Sequence, residues 1–244
     1  MKSAAPGFDA QVRPVSARSA VVRILIAAES PTMTSSEICA ATTAVGYPET
    51  TVRVAVSRMM AAGELVREHR AYTLDPALRA RRTELAAPPV RPWDGDWEQV
   101  VVTAAGRPSA ERAALRARLL SLRLAELREG VWLRPANLVR ALPADLAAAT
   151  LRFRLRPVED PTGLAAALWP LADWTARAHA LLDAIENPDP AAKFAAVSAA
   201  LDLLTTDPAL PAVLLPDNWP VEDLRAATST YLTWLRRLGR QVDT

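Results

Sequence analysis

Apolar positions recur at spacings of three and four through the first sixty residues, and each run has marked ends. In the first run, about Ala17–Ala28, Val21, Ile24, Leu25 and Ala28 line one helical face. The second opens on Thr34-Ser35-Ser36-Glu37. A hydroxyl at the N-cap with a carboxylate three residues on is a capping box, which satisfies two backbone donors at once. Ile38, Ala41, Thr42 and Val45 share the inner face, and Gly46 supplies a left-handed stop. The third run is GYPETTVRVAVSRMMAAG. Pro48 fits the first helical position, where a missing N–H costs nothing. Val52, Ala55, Val56 and Met59 turn inward, and Gly63 ends the helix. Only Gly46 and Tyr47 separate the second and third helices, close to the tight helix-turn-helix connection. The period then shortens: Glu64–Glu68 and Ala71–Leu74 read as two strands around a His69-Arg70 tip.

Three helices and a hairpin predict a winged helix-turn-helix over residues 15–85. With Val52, Val56 and Met59 buried, the other face of the third helix shows Thr50, Thr51, Arg53, Val54, Ser57 and Arg58. An arginine fork pairs with a guanine edge, and hydroxyls take phosphates or bases. Helices of this kind insert their N-terminal end into the major groove. Arg67, His69 and Arg70 at the wing tip would meet an adjacent phosphate or the minor groove. The candidate DNA-reading set is therefore Thr50, Thr51, Arg53, Ser57, Arg58, Arg67, His69 and Arg70. The same pattern also fits a winged helix that binds a protein partner and leaves its arginines solvated.

Residues 86–92, with Pro88, Pro89 and Pro92, read as a linker. Over 93–158 the pattern gives a buried strand at Trp97–Thr103 and a helix at Ser109–Leu122 with Ala113, Leu115, Leu119 and Leu122 toward a sheet. A strand at Val131–Leu133 and a helical turn or two at Asn137–Leu142 follow. The last element is a half-buried strand at Leu151–Leu155, where Leu151, Phe153 and Leu155 alternate with Arg152, Arg154 and Arg156. This order suits a small ferredoxin-like α/β domain with its fourth strand missing or short. Residues 159–244 read as helices at Leu164–Ile185, Ala191–Leu204 and Glu222–Gly239, interrupted by prolines. The fold class expected is α+β, mainly helical.

Composition narrows the function. Half of the 244 residues are apolar, and Lys2 and Lys193 are the only lysines, so the basic charge is almost all arginine. Net charge is +3 over 1–85, +5 over 86–158 and −6 over 159–244, which suggests a polyanion partner for the first two parts only. One cysteine, Cys39, cannot form an internal disulfide, and no signal-like or 18-residue apolar run is present. A cytoplasmic protein without a membrane partner is expected. There is no G-x-S-x-G, H-E-x-x-H or glycine-rich phosphate loop, so no catalytic site, metal or cofactor is expected.

Four stretches in order, VRVAVSRMMAAGEL, RPWDGDWEQVVV, GVWLRPANL and DPALPAVLLPDNWP, resemble the PaaX family of bacterial transcriptional regulators, over about Ala17–Tyr231. The resemblance implies a winged helix-turn-helix, a ferredoxin-like middle domain and a helical C-terminal domain for effector binding and dimerisation. It implies a homodimeric repressor of a catabolic operon, bound to an inverted-repeat operator in double-stranded DNA. It also implies an aryl- or acyl-CoA thioester effector. Where the family has WPG this chain has Trp219-Pro220-Val221. Arg112 and Arg116 on the middle helix, with Trp132, Trp169 and Trp174, are the candidate effector-binding residues; a solvated arginine face is the alternative. A rival function is a nucleic-acid-processing enzyme, since the middle fold resembles a small CRISPR-associated nuclease with an aspartate at the end of its first strand. Here that strand ends Val102-Thr103-Ala104-Ala105-Gly106, and Asp94 and Asp96 lie before it.

Overall fold

The structure is a computed structural model that describes residues 13–28, 30, 32–79, 87–103 and 108–240. Its chain forms two compact units, one of residues 1–86, 175–205 and 220–244, the other of 87–174 and 206–219.

In the first unit, α1 (Ala17–Ala27) buries Val21, Ile24 and Leu25. The capping box closes α2 (Ser35–Ala44): Thr34 Oγ1 accepts from Glu37 N, and Glu37 Oε2 accepts from Thr34 N. Val45 is buried and Gly46 has φ +92, the left-handed turn that leads into α3 (Glu49–Ala61). Pro48 stands one position earlier than the pattern predicts. It is the N-cap, extended at ψ 135, because its carbonyl already accepts from Val52 N. Val52, Val56 and Met59 are buried, as their spacing requires.

The wing has one more strand than the sequence shows. β2 (Leu65–Glu68) pairs with β3 (Ala71–Leu74), and β3 also pairs with β1 (Thr32–Thr34), giving the order β1-β3-β2. After β3, residues 76–79 are helical.

The second unit holds a four-stranded antiparallel sheet. Its strands are β4 (Trp97–Val102), β5 (Ala125–Arg128), β6 (Val131–Pro135) and β7 (Thr150–Leu155), in the order β5-β6-β4-β7. With α4 (Ser109–Ser121) after β4 and α5 (Ala144–Ala147) before β7, this is the ferredoxin-like βαββαβ order, complete. The fourth strand is present and short: β5 has four residues. One expectation is corrected. Asn137–Leu142 is not helical, and the helical turn comes later at α5, after Pro143.

Two clusters cover the sheet. Val100, Leu115, Leu119, Leu124, Trp132 and Leu146 pack on one side; Ala113, expected inward, is exposed. Trp97, Leu133, Ala165, Leu171, Leu210 and Leu214 pack on the other. β7 was expected to be half-buried, but only Leu155 joins that second cluster, while Leu151 and Phe153 remain 55% and 48% exposed. The pattern fixes which side chains share a face; nothing in the pattern says what covers it.

The helical run expected at Leu164–Ile185 is two helices, α6 (Pro161–Leu168) and α7 (Leu171–Ile185). Pro170 has no N–H to continue a ladder and biases the residue before it toward the extended region; Trp169 has ψ 138. Back in the first unit, α8 (Pro190–Thr205) is apolar on nearly all sides and buried accordingly. The last helix, α9 (Val221–Arg240), buries Leu224, Thr228, Tyr231 and Leu235 along one stripe and packs on α1 and α2.

Candidate nucleic-acid interface

The exposed side of α3 is continuous. Thr50, Thr51, Arg53, Val54, Ser57 and Arg58 are all exposed, because Val52, Val56 and Met59 take the opposite face into the core. Thr50, Val54 and Arg58 follow one another at spacings of four along the centre of this face. They line a groove of about 640 Å³ whose other wall is the start of α1, Ser16–Arg18. Arg18 is held there by a bidentate pair with Glu64, Nε and Nη2 each at 2.7 Å from a carboxylate oxygen. That hydrogen bonding holds the Glu64 carboxyl below its ordinary pKa and raises Arg18.

The predicted residues differ in what engages them. Arg53 donates to Glu49 one turn earlier, and this contact raises its pKa. Arg67 donates from Nε to His69 O at 3.2 Å and lies over the Tyr72 ring, so it braces the wing as well as charging it. His69 has φ +58, the left-handed conformation of the hairpin tip. His69 and Arg70 are exposed. Among the described residues, Arg58 and Arg70 have no side-chain ion pair. Ser16 and Arg18 escape a search by α3 composition, since only the fold brings the start of α1 beside α3.

The candidate effector residues all lie in the second unit. Trp132 and Trp174 are buried, and Trp174 stacks on Trp219 with ring centroids 4.2 Å apart. Trp169 packs against Trp97 at 6.4 Å. Arg116 is paired with Glu126 and lies 5.4 Å over the Trp132 ring. Arg112 is exposed near the start of α4.

The acids of the rival reading are also engaged. Asp96 pairs with Arg156 at 2.7 Å and Arg154 at 3.6 Å, and Asp94 Oδ1 accepts from Asp96 N, which lowers its pKa. Glu98 pairs with Arg140 and Arg152. The arginines of β7 and Arg156 just after it are thus matched by Glu98 on β4 and Asp96 just before it. Among the described residues no group of three His, Cys, Asp or Glu could hold a metal. Ala104, Ala105 and Gly106 lie outside the described residues.

Two of the four sequence stretches lock onto each other. Arg134, fully buried, donates to the carbonyls of Pro135, Arg123 and Ala209 and to Asn137 Oδ1. Asn137 Nδ2 also donates to Ala209 O at 2.9 Å. WLRPAN is therefore a clamp for DPALP. A third, RPW, is tied to the same region: Arg91 Nε donates to Ala136 O and Trp93 Nε1 to Asp96 O.

The comparisons with known proteins agree with this layout. Residues 16–76 match the family described as PaaX-like protein, and residues 90–156 match the PaaX protein central Cas2-like domain. The chain belongs to the PaaX family. Its structure is similar to that of the uncharacterized protein Rv0674 from Mycobacterium tuberculosis, at 39% identity and a TM-score of 0.82, covering 94% of this chain and 99% of that one. No curated protein matches. As a PaaX-family chain it falls among transcriptional regulators, and the family's central Cas2-like domain is the β4–β7 sheet with its helices. Among the described residues, no helix is long and apolar enough to cross a membrane.

Proposed function

We propose that this chain is a DNA-binding transcriptional regulator, a cytoplasmic homodimeric repressor that reads an inverted repeat in double-stranded DNA and controls a catabolic operon. The observation that carries the reading is the exposed face of α3, where Thr50, Thr51, Arg53, Ser57 and Arg58 stand together beside a basic wing tip, Arg67, His69 and Arg70. Such a face offers arginine forks for guanine edges and hydroxyls for phosphates. A homodimer is supported by Leu151 and Phe153, adjacent on one face of the edge strand β7 and both exposed. A small effector, such as an aryl- or acyl-CoA thioester, would release DNA by binding the two states unequally.

The reading treats the protein as a non-enzyme, since Asp94 and Asp96 are engaged with the backbone and with Arg154 and Arg156. The test is retention of sheared genomic DNA by the full chain, followed by sequencing. Enrichment of a few fragments sharing an inverted repeat is expected. Uniform retention, or none, rejects the reading and favours a winged helix that binds protein.

A further inference from the structure

Within the first unit, a cleft of about 580 Å³ opens between the end of α2, the α7–α8 connection and the middle of α9. Its walls are mostly apolar: Ala44, Ile185, Pro188 and Pro190 on one side, Tyr231 and Trp234 on the other. The two rings are 5.1 Å apart and tilted by 48°. Tyr231 is fixed in the core, whereas Trp234 is 42% exposed, an indole left without cover. This size and lining suit a flat, drug-sized molecule.

Two charges stand on the lining, Lys193 and Glu186. Glu186 is exposed. Lys193 is half-buried in the first turns of α8, and it has no carboxylate partner among the described residues. An ammonium at the positive end of a helix gains from a nearby anion. It is also one of only two lysines in a chain that otherwise uses arginine.

The cleft adjoins the turn that aims α3. Ala191, between Pro190 and Lys193, sits so close to Gly46 that a Cβ on Gly46 would fall 2.8 Å from the Ala191 Cβ. The next residue, Tyr47, meets the Phe194 ring edge-on at 6.0 Å. No slack separates the start of α8 from the α2–α3 turn.

We propose that this cleft binds an aromatic carboxylate, its ring against Trp234 and Tyr231 and its carboxylate on Lys193, and that occupancy displaces the start of α8 against Gly46 and reorients α3. The regulatory half rests on the DNA-binding reading above; the binding half does not. A ligand of this kind shifts α3 only as far as it binds the two arrangements unequally.

The test uses the full chain with 2-naphthoate as probe, measured by calorimetry without DNA. The primary amide and the aminomethyl analogue of naphthalene serve as neutral and cationic arms. Naphthoate should bind, the amide at least tenfold more weakly, and the ammonium compound least. Lys193→Met should lower naphthoate affinity at least tenfold, with an unchanged circular dichroism spectrum. Equal binding of acid and amide, or preference for the cation, overturns the site, and these arms need no variant. Retention of the selected DNA is then measured with and without naphthoate, and at least a fivefold loss is expected. Naphthoate that binds without changing retention overturns the coupling. Naphthoate binding in a protein that retains no DNA leaves the site standing and removes the DNA-binding reading.

Discussion

Arg53 and Glu49 form a closed pair on α3: the guanidinium Nε and Nη2 both donate to Glu49 Oε1, at 2.8 and 2.5 Å. The pair is exposed and one turn apart, so it contributes little to stability. Its effect is on availability, since DNA must take the Arg53 fork away from Glu49. Glu49→Gln should therefore tighten binding to arbitrary duplex and reduce the ratio of specific to non-specific affinity, read by fluorescence anisotropy. Arg53→Ala should weaken the best site by about 1–3 kcal/mol and relax specificity. If both variants bind like the parent, Arg53 reads nothing.

Val54 is an apolar side chain, 51% exposed, in the middle of a polar face. Thymine offers a methyl group in the major groove, and a valine at this place would cover it. Uracil in place of one operator thymine should cost the parent about 0.8 kcal/mol, the value of one buried methyl-sized group. Val54→Ala should erase that difference. An equal uracil penalty in both proteins would assign the methyl contact elsewhere.

Arg134 is a buried cation whose hydrogen bonds reach four acceptors, and burial lowers its pKa to about 9. Arg134→Met leaves the Ala209 and Arg123 carbonyls without this donor. A loss of about 3 kcal/mol in urea unfolding is expected, of the size seen when a buried polar network loses one member. Arg134→Lys should recover little, because an ammonium cannot span the same fork of acceptors. A lysine variant as stable as the parent would show that charge alone suffices there.

Glu64 supports the position of Arg18 on the groove wall, and the hydrogen bond from Arg18 lowers its pKa on folding. Its folded pKa lies below the unfolded value. The stabilisation is therefore complete above the ordinary carboxylate range and is lost as pH falls through the folded pKa. Melting curves between about pH 5 and pH 3 should show a steeper acid loss in the parent than in Glu64→Gln. Parallel curves would mean that the pair is broken in solution.

Leu151 and Phe153 offer the apolar surface that supports the homodimer reading. Phe153→Asp should shift the mass measured by light scattering toward the monomer at micromolar concentration. A dimer of unchanged stability would place the contact on another face.

By itself the sequence determined the local frame. The Thr34–Glu37 capping box, the left-handed Gly46 and the Val52-Val56-Met59 stripe are rules between near neighbours, and each holds in the fold. They were enough to orient α3 and to name its outward side chains, because a helix has one period and one buried face. Weak local signals failed: β1 has three residues and β5 four, too few to show a period. Pro170 did mark the break between α6 and α7, but the apolar run on both sides masked it. Only tertiary structure decided the rest. It left Leu151 and Phe153 uncovered, buried Arg134 under the 206–219 segment, and set α9 against α2 to leave a cleft beside Gly46. Each of these depends on which distant segment arrives at a surface, and the periodicity of a strand or helix carries no information about its partner.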